Sequence, residues 1–562
     1  MSKRSRDIIE KNYVDWTALG SIQDSNDDTT SITGSSHLLD INVENDLYRL
    51  MVDCGAYNGT PIVCDKNNTL PNDPNTWQPL NPSSIDSVIL THTHNDHVWR
   101  IPKIVGNGYP GNIHLTTHAH HVIQPILEDS LFVNTMEVEK TNEIVEWKKK
   151  KLWQKLNRLL VNRDIENTLL KEYSIKKNSD ISHALKRKFG SPLESIFTAE
   201  DLKLTLPRLR SHDYFCGWKK QIFDVFDTSE FIKGRFLDAW HIFWSAITLL
   251  SINKPWKQKA FNILWGGDMG RLQNRIYWEW PDLHYIKKPI DLLFTESTYG
   301  WRIHPDINKE IDKLEDSINV TFKKWGQVLI PCFTQTRQQE MLRYLCDSIN
   351  SDHPLSLPKD TEIIFDSPLG EKIMKQMAIC DPCYGDLLYS NNDNIIRSEG
   401  KDTEQLLLQK RPNRIFLTSW GMLQGGTSNK IIHYFDKNRK EEKRANWSSL
   451  NMHRDISKKW LVVISWFTPS YTLGHKVAND PSSYNCLQLK LSSHWDHYDI
   501  IDFITNKDNC SGVCLRDNAK ICTMHWSLDG MYAIKRGLED AWIKPENIIV
   551  PSAVGKKFRF KI

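Results

Sequence analysis

The sequence predicts an α/β protein of more than one lobe, and three observations carry that prediction. The chain has 562 residues, more than one hydrophobic core organises. Short apolar runs of strand character end repeatedly in loops rich in His, Asp and Thr. From about 300 to 489, strand-like runs alternate with helical patterns, as in GQVLIPCFTQTRQQEMLRYLCDSI, TEIIFDSPLGEKIMKQM and RIFLTSWGMLQGG. Such alternation marks an α/β lobe with a sheet of its own.

In chain order, residues 1–30 are polar and aperiodic and read as a leader, with Ser25–Thr30 its mobile part. SITGSSHLLDINVENDLYRLMVDCG reads as two strands joined by a turn at Glu44-Asn45-Asp46, the second ending in Asp53-Cys54-Gly55. SSIDSVILTHTHNDH repeats the scheme of a buried strand running into a loop of ligand-type residues, so a first lobe spans 31–299. Within it, residues 137–190 are charged and Lys-rich. Leu152, Leu156, Leu159 and Leu160 recur there at helical spacing, which predicts an amphipathic helical insertion with a basic outer face. A solvated surface is the ordinary reading of such a face. In the 300–489 lobe, DKNRKEEKRANWSS (436–449) reads as a polar loop, and residues 490–562 return to the first lobe.

Composition narrows the class. With 40% hydrophobic and 25% charged residues the chain is of ordinary globular make-up. A net charge of +3 neither demands nor excludes a polyanionic partner, since a local basic groove can sit on a nearly neutral protein. The 11 Cys are odd in number and scattered, and Cys54, Cys332 and Cys522 lie in apolar runs, as buried thiols do in a reducing compartment. Cys380-x-x-Cys383 lacks the second pair that a structural metal site needs. The N-terminus has no apolar signal region, and IFWSAITLLSI falls short of the ~20 residues of a membrane span. A cytoplasmic protein without membrane contact is expected.

Thr91-His92-Thr93-His94-Asn95-Asp96-His97 carries the chemistry. Side chains alternate along an extended segment, so His92 and His94 point the same way, and a following turn can swing Asp96 and His97 to a second point nearby. One such histidine would be an ordinary surface residue. Three imidazoles and a carboxylate within six residues, directly after the apolar SVIL, point instead to two divalent ions. Zn2+ suits imidazole-rich sites, with Mn2+ the alternative where oxygen donors take part.

These residues resemble the metallo-β-lactamase superfamily, and later motifs narrow the resemblance to its β-CASP nucleases, which include ribonuclease J and the endonuclease of mRNA 3′-end processing. TGSSHLL…VDCG resembles the opening hairpin and carries Asp53 as first signature acid. DAWHIFWSA resembles the third motif, with His241, and LWGGD the fourth, with Asp268. Thr295-Glu296-Ser297-Thr298-Tyr299-Gly300 resembles motif A, Leu491-Ser492-Ser493-His494 motif B and Thr523-Met524-His525 motif C. The fold so implied is a metallo-β-lactamase αββα sandwich with an inserted α/β β-CASP lobe. Trp240, Trp244, Trp420 and Trp526 depart from the small residues usual at their positions and put the width of the substrate channel in question.

The resemblance implies that His92, His94, His241 and Asp268 hold one metal, and Asp96, His97, Asp268 and His525 the other, with two Zn2+ as cofactors. Asp53 is read as orienting a ligand, His494 paired with Glu296 as the general acid, Ser492 as a substrate contact, and Arg337 as either a backbone-phosphate contact or a salt bridge on its helix. The implied activity is hydrolysis of single-stranded RNA, leaving 5′-phosphate and 3′-hydroxyl ends. His525 favours RNA, because DNA-processing members are expected to carry an aliphatic residue there. A DNA nuclease and a non-catalytic scaffold subunit of an RNA-processing complex are the alternatives, and a homo-oligomer or protein complex stays open.

Overall fold

The computed structural model describes residues 12–20, 34–55, 81–161, 171–174, 176–189, 194–214, 221–254, 259–271, 289–380, 393–409, 411–448, 459–465, 468, 472–481, 483–505, 513–525, 527–551 and 555–562. Strands β1 (Tyr13–Ala18), β2 (Ser36–Val43), β3 (Asp46–Cys54), β4 (Ser87–Ile89), β5 (Asn112–Thr116) and β6 (Leu209–His212) lie side by side in that order. The first three are antiparallel, and β3 to β6 run parallel. The β2–β3 hairpin turns at Glu44 and Asn45, both at positive φ (54° and 78°). A two-residue turn of that hand follows the right-handed twist of its strands.

Strand β1 corrects the reading of residues 1–30 as a leader. Val14, Trp16 and Ala18 are fully buried, and the strand pairs with β2 from Tyr13↔Asn42 to Ala18↔His37. Polar Asp15 and Thr17 alternate with these apolar residues at the strand period, which made a short segment read as polar. Asp15 is buried but paired with Arg559 at 2.7 Å. Ser25–Thr30 lie outside the described residues.

A second sheet follows, with β7 (Phe223–Phe226), β8 (Ser229–Asp238), β9 (Ala246–Ile252), β10 (Phe261–Trp265) and β11 (Ile290–Glu296), antiparallel up to a parallel β10–β11 pair. The two sheets face each other across a core that includes Trp16, Leu39, Phe236, Trp265 and Phe294. The chain then builds a six-stranded parallel sheet from β12 (Gln327–Pro331), β13 (Glu362–Asp366), β14 (Ile395–Arg397), β15 (Arg414–Thr418), β16 (Trp460–Ile464) and β17 (Asn485–Gln488), ordered β14-β13-β15-β12-β16-β17. It returns through β18 (Leu515–Met524) and β19 (Ile548–Ile549) to the second sheet, beside β11, and through β20 (Lys557–Lys561) to the first, beside β1.

Helices cover the outer faces. On the first sheet lie α1 (Asn95–Val98), α2 (Ile101–Gly106), α3 (Thr117–Val161) and α5 (Ala199–Thr205), with Ile104, Val122, Ile126 and Leu202 in the core beneath, while α4 (Asn178–Phe189) packs on the outer part of α3. The parallel sheet has α6 (Ile307–Phe322), α7 (Arg337–Asn350) and α8 (Pro368–Cys380) on one face and α9 (Lys401–Leu408), α10 (Gly426–Ser448) and α11 (Leu473–Asn479) on the other. The second sheet is covered by α12 (His497–Thr505) and α13 (Leu528–Asp540) through Ile500, Phe503, Ile534 and Leu538. The result is an αββα sandwich interrupted by a parallel α/β lobe.

Two local readings change. The segment read as a polar loop, 436–449, continues α10 as far as Ser448. Its Lys, Glu, Arg and Ala are good helix formers with no Gly or Pro among them, and Asp436 bonds both Lys440 and Arg439 one turn on. The helical pattern read from 137 is the outer part of α3, a 45-residue helix whose first turns bury Val122, Ile123 and Leu127. Cys54, Cys332 and Cys522 are buried thiols, whereas Cys383 and Trp526 lie outside the described residues. No helix among the described residues is long and apolar enough to cross a membrane.

Candidate metal centre

Strand ends bring the polar loops together. β4 delivers the chain to Thr91–His94 in extended form, and His94 becomes the N-cap residue of α1, whose turn carries Asp96 and His97 to the other side. After β8 a tight loop with Trp240 at φ 61° presents His241, held by its N–H donating to the Ser245 hydroxyl at 3.1 Å. After β10 comes Gly267, at φ 61°, where an added Cβ would meet Thr91 at 3.1 Å, so glycine lets the Asp268 loop close on the His92 loop. β18 ends at Met524, and His525 follows it at φ 63°.

Two clusters result. His92 Nε2 lies 3.0 Å from His94 Nδ1, which lies 3.2 Å from His241 Nε2. Asp268 Oδ2 stands 3.7 Å from His92 Nε2 and 3.6 Å from His241 Nε2. Asp96, His97 and His525 converge in a second cluster, and Asp268 reaches it too, with Oδ2 3.4 Å from His97 Nε2 and Oδ1 3.5 Å from His525 Nε2. In each cluster the donor atoms lie within 4.8 Å of one another.

The residues fit bound metal cations. His97 Nε2 and Asp268 Oδ1 are buried without a hydrogen-bond partner, a state buried polar atoms ordinarily avoid. Burial, reinforced by neighbouring imidazoles, holds His92 and His241 well below the usual histidine range and His94 down to about 4, so their lone pairs are available. Burial opposes charge on His97 as well, yet Asp268 and Asp53 raise it well above the usual range. Burial works against charge on Asp268, and His525 and His97 nevertheless hold it well below the carboxylate range. That demand for positive charge between Asp268 and its imidazoles is one a cation answers.

Around the clusters stand residues that orient. Asp53 Oδ2 meets His97 Nδ1 at 2.8 Å and accepts the Thr91 hydroxyl at 2.8 Å, while Oδ1 accepts the Thr91 N–H at 2.8 Å. His494 Nδ1 lies 2.8 Å from Glu296 Oε2, and the other oxygen of this fully buried carboxylate accepts the Met269 N–H at 2.6 Å. Burial alone would lower the His494 pKa, but Glu296 and then Asp268 bring it to about 9. Its ring stands 4.4 Å from that of His241, and its side chain is 17% exposed, whereas His92, His97, His241 and His525 are buried.

The other expected residues fall differently. Ser492 sits beside His494, its hydroxyl accepting the His494 N–H at 3.0 Å. Arg337 opens α7 and pairs with Glu340 on its own helix. Trp240 and Trp244 are buried, and Trp244 Nε1–H donates to Thr93 Oγ1, so they pack the floor of the loops rather than narrow a channel. Trp420 lies on Gly425 and Gly426. Sequence reasoning missed Thr298, whose hydroxyl meets His525 Nδ1 at 2.9 Å, and Gln335, whose Oε1 accepts the Thr93 hydroxyl at 2.9 Å from the parallel lobe. Thr298 lies inside the motif A run, which was the available signal for it. For Gln335 there was none, because 242 residues separate the partners.

Known proteins place this arrangement. Residues 40–151 match the family model of the metallo-beta-lactamase superfamily. A ribonuclease of Thermus thermophilus is 23% identical over 412 residues, 72% of this chain and 73% of its own. The transcription termination factor FttA of Methanosarcina mazei is 24% identical over 399 residues, 69% of this chain and 50% of its own. An endoribonuclease of Schizosaccharomyces pombe is 26% identical over 366 residues, 62% of this chain and 37% of its own. The chain thus spans about half of the second relative and less of the third. Fold and site together define a metallohydrolase. Residues 40–151 carry a metallo-β-lactamase superfamily match, and similarity to the ribonuclease relatives over 62–72% of the chain supports the β-CASP branch of that superfamily.

Proposed function

We propose that this protein is a metal-dependent nuclease that hydrolyses single-stranded RNA to 5′-phosphate and 3′-hydroxyl ends. The convergence of five imidazoles and two carboxylates on two adjoining points, with the His494–Glu296 pair beside them, carries the reading. Two of the three relatives are named ribonucleases and the other a transcription termination factor, which supports RNA as the substrate class. His92, His94, His241 and Asp268 would hold one cation, and Asp96, His97, His525 and again Asp268 the other. Zn2+ is the ion this donor set favours, with Mn2+ the alternative. Bound there, divalent ions supply an activated water and neutralise charge on the phosphoryl oxygens.

The chain's own residues do the rest. Asp53 takes the proton of His97 Nδ1 in a hydrogen bond and keeps the Nε2 lone pair facing inward. Thr298 steadies His525 in the same way. Glu296 holds a proton on His494 Nδ1, so the charged imidazole at neutral pH presents Nε2–H to the departing ribose oxygen. His494 is the general acid, and Ser492 fixes its backbone. Matched RNA and DNA oligonucleotides with 5′-phosphate or 5′-hydroxyl ends, with and without chelator, test the reading. RNA should be cut faster, and chelator should abolish cutting. Equal or faster cleavage of DNA moves the assignment to a DNA nuclease, and absence of any cleavage after metal reconstitution removes the enzyme.

A further inference from the structure

The nuclease site leaves the basic insertion without a task. From 137 to 190, fourteen Lys and Arg stand against eight Asp and Glu, a net +6, while the whole chain carries only +3, so the remainder is acidic on balance. The segment is thus the basic part of a chain that is otherwise acidic on balance. Its frame is helical: α3 is continuous to Val161, and α4 packs against it through Leu156, Ile181 and Ala184.

The outer face of α3 combines that charge with exposed aromatic surface. Trp147 is 58% exposed and Trp153 44%. Trp147, Lys150, Lys151 and Arg158 recur at spacings of three, four and seven and so share a face. Lys151 Nζ stands 4.4 Å above the Trp147 ring. Lys149 is paired with Glu146 at 2.7 Å, but Lys150, Lys151, Lys155 and Arg158 have no acidic partner among the described residues. A purely solvated helix face would not carry so exposed an indole as Trp147, and a protein-docking face would not flank it with unneutralised lysines; Trp153, six residues on, lies about 120° round the helix. Indole faces flanked by cations suit bases that stack while their phosphates are neutralised.

The projection is anchored at the metal loop. Ser130 of α3 donates its hydroxyl to Asn95 Oδ1 at 3.1 Å, next to Asp96. At ~1.5 Å per residue, Trp147 lies ~25 Å beyond that anchor and Arg158 ~40 Å. A strand held at the cleft can reach the projection only if it is long enough.

We infer that the α3–α4 projection is an RNA-docking arm, gripping single-stranded RNA away from the bond that is cut. The inference rests on the ribonuclease reading and deepens it. The test compares RNA oligomers of about 5 and about 30 nucleotides in wild-type protein and in a variant carrying Lys150→Glu, Lys151→Glu, Lys155→Glu and Arg158→Glu, all at exposed helix positions. A stacked strand of about 5 nucleotides spans only ~17 Å. Anisotropy gives binding in the presence of chelator, and initial rates give cleavage with metal present. For the longer RNA the variant should bind at least about tenfold more weakly, with a salt dependence shallower by about 0.7 for each phosphate that is no longer neutralised. For the shorter RNA, affinity and kcat should change less than about twofold. Trp147→Ala alone should weaken the longer RNA without changing the salt slope, since it removes stacking and not charge. Equal affinity of variant and wild type for the longer RNA, or equal loss for both lengths, overturns the arm while leaving cleavage, and with it the ribonuclease reading, intact. Wild-type protein that neither binds nor cuts RNA overturns both.

Discussion

Asp53 meets His97 through a 2.8 Å contact between Oδ2 and Nδ1, and the same carboxylate takes both the N–H and the hydroxyl of Thr91. One acid thus sets the tautomer of a metal-facing imidazole and pins the start of the loop that holds His92 and His94. Its own backbone lies at φ 57°, a conformation Asp tolerates better than most residues. Asp53→Asn is expected to separate these roles. The amide oxygen can serve the Thr91 N–H, but its NH2 then faces the Thr91 hydroxyl and His97 Nδ1, makes that nitrogen an acceptor and shifts the proton to Nε2. Affinity at the His97 site should fall about 10–100-fold while the His92 site holds. Zn2+ titration of apoprotein reads both, and equal loss at the two sites would count against the tautomer argument.

Asp268 faces both clusters, whereas His241 faces one. Elemental analysis of purified Asp268→Ala should show both ions lost. His241→Ala should keep the ion of the Asp96, His97 and His525 site. Wild-type protein without metal after reconstitution would dismiss the whole assignment.

How much of this was legible beforehand follows from the range of the interactions. The HxHxDH run was readable because its donors sit within six residues, and Asp268, His241 and His525 through motifs that each fit one strand end. Strand β1 was not, since its partners β2 and β20 include residues as distant as Arg559 and only their pairing makes Asp15 tolerable inside. Trp244 read as bulk at the cleft because a sequence cannot show that the indole turns down to Thr93. The polar stretch of α10 misled by composition, and the ion pairs that steady it are visible only once the helix is assumed.

His114 and His212 form a neutral pair across β5 and β6, with Nδ1 of the first 2.9 Å from Nε2 of the second. Burial lowers His114 to about 3 and His212 to about 4. Unfolded histidine titrates near ~6.5. Between those values the unfolded chain binds protons that the folded pair refuses, so stability falls as pH drops from about 6.5 towards about 4 and is fully present above. Urea midpoints for the double variant His114→Leu, His212→Leu should depend less steeply on pH across that window than wild type. An unchanged slope would show that the pair does not contribute to acid sensitivity.

His494 tests whether a proton donor, and not a further ligand, stands beside the clusters. It is close enough to Asp268 and Glu296 to be grouped with them as a possible ligand. Yet its Nδ1 is committed to Glu296, and its pKa of about 9 keeps it protonated at neutral pH, when a ligand must offer a lone pair. His494→Ala should therefore retain both metals and slow the chemical step about 10²–10⁴-fold. Glu296→Gln should show the same effect in weaker form. Its oxygen still has to accept the Met269 N–H, so its NH2 faces His494 Nδ1 and leaves a neutral ring with a proton on Nε2 that is far less acidic. In wild type, activity should decline as pH rises through the His494 pKa, which bound cations bring below the value of about 9 that the protein's own groups give it, because the protonated form is the active one; in His494→Ala that alkaline limb should disappear. A substrate whose leaving oxygen has a low pKa needs little protonation and should recover much of the lost rate in His494→Ala. Loss of a metal ion from that variant, or equal rates of slowing for good and poor leaving groups, would show that His494 does not donate the proton.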